Sequence, residues 1–193
     1  MRKLELLKKE INYVKDVSLR KDLKVLIGVL PKYFFEIPAA STGKYHPSFA
    51  QGEGGLIRHT KVAVRIAYEL LTNNTVGAKF TDRDKDLIIM ALILHDGVKS
   101  GMEHSKYTKF DHPLLVSKLI MENKSKLSME VDDIRKMCSM IESHMGEWNF
   151  DTYQQKEVLP KPKTAEQRFV HMCDYLASRK FLDVKFEDNQ IVE

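Results

Sequence analysis

Apolar residues recur along most of this chain at the three- and four-residue spacing of helices that bury one face. Leu4, Leu7, Ile11 and Val14 make one stripe, and Leu19, Leu23, Leu26, Ile27 and Leu30 make the next, which predicts a lysine-rich amphipathic helix pair near the N-terminus. A glycine-rich turn then opens a helix over Gly54–Thr72, with Leu56, Val62, Ala63, Ile66 and Leu70 on its inner side. Thr81-Asp82-Arg83-Asp84 starts another in a capping-box pattern. It runs through Leu87, Ile88, Ala91 and Leu92 to His95, with Gly97 as its stop. Asp111-His112-Pro113 marks a further helix entrance, because proline suits the first helical position. Two more stripes follow: one from about Met129 through Val131, Ile134, Met137, Ile141 and Met145, and one from Thr164 through Phe169, Val170, Cys173 and Leu176. The second again opens with a capping box, Thr164 and Gln167. Tyr153 to Lys163, with Pro160 and Pro162, reads as a loop, and the alternation from Phe181 to Phe186 predicts a short strand or a packed tail. The sum is an all-α bundle of about seven helices around a single core. Residues 1–40 form a helical extension packed on a main body over residues 41–193.

Composition adds bounds rather than detail. The chain has 193 residues and 43% hydrophobic content, enough for one core. Its N-terminus is charged throughout, which argues against a signal peptide or a membrane span and for a cytoplasmic protein. Cys138 and Cys173 lie on inward stripes without metal-type spacing and read as free thiols in a reducing compartment. A net charge of +4, with lysines gathered at Lys124 and Lys126 and at Lys156, Lys161 and Lys163, suits an anionic ligand without demanding nucleic acid.

The polar residues inside the apolar stripes change the picture more. His59 lies on the same face as Val62, Ala63 and Ile66; His95 continues the stripe of Ile88; His144 falls seven after Met137; Asp174 is four after Val170. One histidine on such a face is usually a core residue bonded to a carbonyl. Four histidines (His59, His95, His112, His144) with Asp96 and Asp174, all at inward or helix-end positions, call for a common reason, since unpaired buried polar groups are costly. Mixed imidazole and carboxylate ligation points to a divalent transition metal such as manganese, iron, cobalt or nickel, with magnesium also compatible. His171 reads as a core histidine, His104 as a solvent residue, and Trp148 as packing that is also able to stack on a base.

The order His59, then His95-Asp96, then a late Asp174 resembles the HD-domain metal-dependent phosphohydrolase superfamily over about residues 44–180. Lys99 resembles the lysine that follows the family's doublet by three. Lys44-Tyr45-His46-Pro47 with Gly54-Gly55-Leu56-Ile57-Arg58-His59-Thr60 is similar to the lead-in of YhaM-type 3′–5′ exoribonuclease HD domains. Two features depart from the pattern. Gly97 directly follows the aspartate, where the family usually places glycine before the lysine, and the first fifty residues read as helical rather than as the OB-fold of YhaM-type enzymes. The resemblance implies that His59, His95, Asp96 and Asp174 hold one metal ion. His112 and His144, which single-metal members lack, would hold a second, bridged by Asp96. It also implies hydrolysis of phosphoester bonds by a metal-activated hydroxide, with Asp96 and Lys99 in catalytic roles and Lys44, His46 and Arg58 near the substrate. The expected partner is a phosphorylated small molecule, a nucleotide or a single-stranded nucleic acid. A 3′–5′ exonuclease, a nucleotidase or dNTP phosphohydrolase and a cyclic-nucleotide phosphodiesterase all fit, as does a non-catalytic module that binds a nucleotide or protein.

Overall fold

A computed structural model describes residues 2–40, 42 and 46–192. Eight α-helices carry the fold: α1 (Arg2–Leu6), α2 (Lys8–Tyr13), α3 (Val17–Val29), α4 (Gly55–Thr72), α5 (Asp82–Leu94), α6 (His112–Glu122), α7 (Val131–Glu142) and α8 (Ala165–Ala177). The all-α expectation holds. The first stripe, read as one helix, is two, because the backbone departs from helical geometry at Leu7 while the Ile11 N–H still reaches the Leu7 carbonyl.

Among the described residues, sheet is confined to two short antiparallel hairpins. β1 (Phe150–Asp151) pairs with β2 (Lys156–Glu157), and β3 (Phe186–Glu187) pairs with β4 (Gln190–Ile191). The first lies partly in the stretch read as loop, and the second keeps only the end of the alternating run as strand. Asp188 and Asn189, both at positive φ, make the tight turn that closes the second hairpin.

Helix α5 is the centre of the bundle. From Asp86 to Leu94 every residue is buried, so this helix is apolar all round rather than on one stripe. The Thr81–Asp84 capping box starts it as expected, and α2, α3, α4, α7 and α8 pack around it. The N-terminal helices share this core: Leu7, Ile11, Leu19, Leu23, Leu26 and Ile27 lie in the same buried cluster as Leu56 and Leu87.

The two ends of the chain meet at α4. The Lys61 ammonium is fully buried, 3.2 Å from a Glu10 carboxylate oxygen on α2 and 2.8 Å from Gln190 Oε1 on β4. Gln190 in turn donates to the Leu6 carbonyl. A buried charge of this kind is tolerated only when paired. At the start of α4, Gly55 packs so closely on the Ala50 carbonyl that a Cβ would lie 2.2 Å from its oxygen, which explains the second glycine of the Gly54-Gly55 pair. Among the described residues no helix is long and apolar enough to cross a membrane. Cys138 and Cys173 are buried and free, and burial pushes the Cys138 thiol up to about 11, so neither is a ready nucleophile.

Candidate metal centre

Three helix ends and two helix faces deliver the site. His59 projects from α4 and Asp174 from α8, which pack against one another. His95 caps the C-terminus of α5, with Asp96 next to it; His112 opens α6. His144, read as part of a helix, lies two residues beyond the end of α7. That position serves it, because the last carbonyls of a helix lack intrahelical partners.

Three of the rings are fixed the same way. The Nδ1 of His95 bonds the Leu92 carbonyl, that of His112 the Lys109 carbonyl and that of His144 the Ile141 carbonyl, each at 2.7 Å. A ring that donates from Nδ1 presents Nε2 as a bare lone pair. This is the arrangement by which a histidine ligand is oriented toward a metal.

Those lone pairs converge on the carboxylates. His59 Nε2 lies 2.9 Å and His95 Nε2 3.3 Å from Asp174 Oδ1. His112 Nε2 lies 3.0 Å and His144 Nε2 3.8 Å from Asp96 Oδ1, and the two rings' Nε2 atoms are 3.3 Å apart. His95 Nε2 is 3.5 Å from Asp96 Oδ2. Ligand atoms held ~2.1 Å from one ion stand roughly 3.0–3.4 Å from one another, by the geometry of octahedral and tetrahedral shells. His95 Nε2 and Asp96 Oδ1 are buried with no hydrogen-bond partner of good geometry among the described residues. Lone pairs facing lone pairs repel unless positive charge lies between them, so the donor set fits a divalent cation. Two overlapping groups have the spacing to hold one: His59, His95 and Asp174, and His95, Asp96 and His144.

Electrostatics agree. Burial would raise the Asp96 carboxyl, but the Lys99 ammonium, 2.6 Å away, and the His95 and His112 rings hold it well below the usual carboxylate range. Burial also opposes the ionised form of Asp174, and bonding to His59 and His95 overrides it. Burial pushes His95 down, yet Asp96 and Asp174 raise it overall, so the position between the two carboxylates calls for positive charge. His144 is pushed down to about 3 by burial and by His95, which leaves it as the neutral imidazole that metals bind.

Asp96, His112, His144 and Asp174, with Lys99, line a cavity of about 700 Å³. His46 lines it too. Its ring stands edge-on to His59 at 5.2 Å, and burial together with His59 and Lys99 pushes it down to about 3. Lys44 lies outside the described residues. Arg58 does not line this cavity; its guanidinium donates to the Phe49, Glu53 and Gln51 carbonyls and to Asn189 Oδ1, bracing the lead-in against the β3–β4 hairpin. His171 is half-buried, and its Nδ1 bonds the His144 carbonyl at 2.7 Å. His104 is stacked on Tyr33.

Sequence reasoning missed Tyr175 and Thr108, which also line the cavity, as does Arg179 beside them. Tyr175 directly follows Asp174, and an aromatic residue beside a ligand was the only local signal it left.

Comparison with curated proteins and with solved structures found no match. The family model described as the HD domain matches residues 56–179, a stretch that holds all six converging side chains and leaves α1–α3 and the C-terminal hairpin outside. With well over half its length matched, the chain belongs to the HD domain family, whose members are mostly metal-dependent hydrolases acting on phosphorylated substrates.

Proposed function

We propose that this chain is a metal-dependent phosphohydrolase that cleaves phosphoester bonds of nucleotides or nucleic-acid ends, with two divalent ions at the histidine–aspartate cluster. The observation that carries this reading is the division of Asp96. Its Oδ1 faces His112 and His144, while its Oδ2 faces His95 and Lys99. A carboxylate with ligands on both sides suits a bridge between two sites, His59–His95–Asp174 on one hand and His112–His144 on the other.

Ions bound there would acidify a water and neutralise phosphate oxygens. The protein's part is to hold and shield the reactants. The three carbonyl-tied histidines fix the ligand geometry before substrate arrives. Lys99 stands at the cavity wall as a compact cation for a phosphate oxygen, where it competes for the phosphate with its bond to Asp96. His46, neutral at physiological pH, offers a ring nitrogen to the substrate or to the attacking water. The buried walls limit access of bulk water and so strengthen each of these charges.

The test is metal analysis of the purified protein by mass spectrometry. A hydrolysis screen with Mn²⁺ would follow, over mono-, di-, tri- and cyclic nucleotides and short single-stranded oligonucleotides. The expected result is bound transition metal, rising to two ions per chain, and Mn²⁺-dependent release of product that EDTA abolishes. Full metal loading with no turnover of any phosphoester would make this a non-catalytic binding module instead.

A further inference from the structure

We propose that the cleft over this centre is shaped for a single-stranded nucleotide chain at least two units long, gripped on both sides of the scissile phosphorus. The proposal rests on the phosphohydrolase reading and narrows its substrate to a phosphodiester.

A second cavity, of about 310 Å³, lies beside the one lined by the ligand cluster: Lys99 and Thr108 line both, and Ile37, Pro38, His104, Lys106 and Tyr107 complete the second. None of the six candidate ligands borders this second space. A phosphate held at Lys99 would sit at the boundary of the two cavities, with one on either side to take a substituent. A phosphate monoester has one organic substituent and fills one of them; a diester has two.

Each side offers an aromatic face and a cation. On the larger side Trp148 stacks on Tyr175, with ring centroids 5.7 Å apart and planes 13° from parallel, and the Arg179 guanidinium lies 4.1 Å over the Tyr175 ring. Trp148 remains 45% exposed at the end of this column. On the smaller side Tyr107 is 62% exposed, and the Lys106 ammonium lies 5.4 Å over its ring. Aromatic faces alternating with cations along a groove bind unpaired bases and their backbone with little regard to sequence. Burial of Trp148 against Tyr175 alone would not require it to border the cavity, as it does.

The reaction needs water and nothing else. The water oxygen bonds to phosphorus as the bond from phosphorus to one sugar oxygen breaks. One water proton ends on that oxygen. One product then carries a terminal phosphate and the other a free hydroxyl.

Trp148 is the chain's only tryptophan, so its emission reports directly on this subsite. The full chain as purified, without added metal, would be titrated with thymidine monophosphate and with a phosphodiester-linked thymidine dinucleotide. The dinucleotide is expected to quench the emission with affinity at least ~10-fold tighter, about 1.4 kcal/mol. In the surface-loop variant Tyr107→Ala that ratio should fall toward one. Equal affinities in the parent protein, or a ratio unchanged in Tyr107→Ala, overturn the two-sided cleft. The hydrolysis screen separates the two readings. Turnover of monophosphates but not of the dinucleotide defeats this proposal and leaves the phosphohydrolase standing. Preferential dinucleotide binding with no turnover of any substrate supports the cleft and defeats the catalytic reading.

Discussion

Replacing Asp96 by Ala is expected to abolish both metal retention and hydrolysis, with a rate loss of at least ~10³-fold, beyond that of losing one transition-state donor. The carboxylate divides its two oxygens between the halves of the cluster, so its removal unlinks them. It also leaves the Lys99 ammonium and the His95 and His112 rings crowded together without their anion. Removing one partner of a buried pair commonly costs ~3–5 kcal/mol, so the variant has to be checked for folding. Asp96→Asn keeps the shape and removes the charge. It should retain a cooperative thermal transition while losing metal by mass spectrometry. If Asp96→Asn binds two ions and turns over at the parent rate, Asp96 is a structural residue and the centre has been misassigned.

His112→Ala and His144→Ala are expected to spare one ion, lose the other and lower turnover by roughly 10²-fold or more, because clamping of both reacting oxygens needs the pair. Lys99→Ala should differ in kind. Both ions stay, and turnover falls by ~10²–10³-fold, the scale of one preorganised charge or donor at a developing anion. Metal counts paired with phosphate-release rates distinguish the three. Full activity with one ion in either histidine variant would establish a mononuclear centre and return both rings to substrate contact or packing.

Local pattern made much of this legible, and the reasons are specific. His59 could be placed because α4 has a clear apolar stripe, and both capping boxes, Thr81 with Asp84 and Thr164 with Gln167, formed as their spacing required. α5 was harder. A helix buried on every side has no single stripe, so the periodicity that set His95 in line with Ile88 traced only part of its buried surface. His144 was read inside α7 because its spacing continues that stripe, yet it sits in the turn beyond, where its ring ties to the Ile141 carbonyl. The bracing position of Arg58 was not legible, because its partner Asn189 lies 131 residues away on the C-terminal hairpin. Lys106 and Tyr107 escaped for a related reason. A loop gains meaning only when the fold sets it against Ile37 and Pro38, far back in the chain.

The clasp at Lys61 separates ancestry from architecture. The stretch that marks kinship begins after Glu10 and ends before Gln190, yet both hold the ammonium buried on the helix that carries His59. A fragment trimmed to residues 56–179 would present that lysine and the faces under α1–α3 bare to solvent. Such a fragment is expected to lose cooperative melting, while the full chain keeps it. On that result the smallest unit able to fold would be larger than the smallest unit recognisable as kin, and the segments around Glu10 and Gln190 would form a single joint for any fusion or truncation to leave closed.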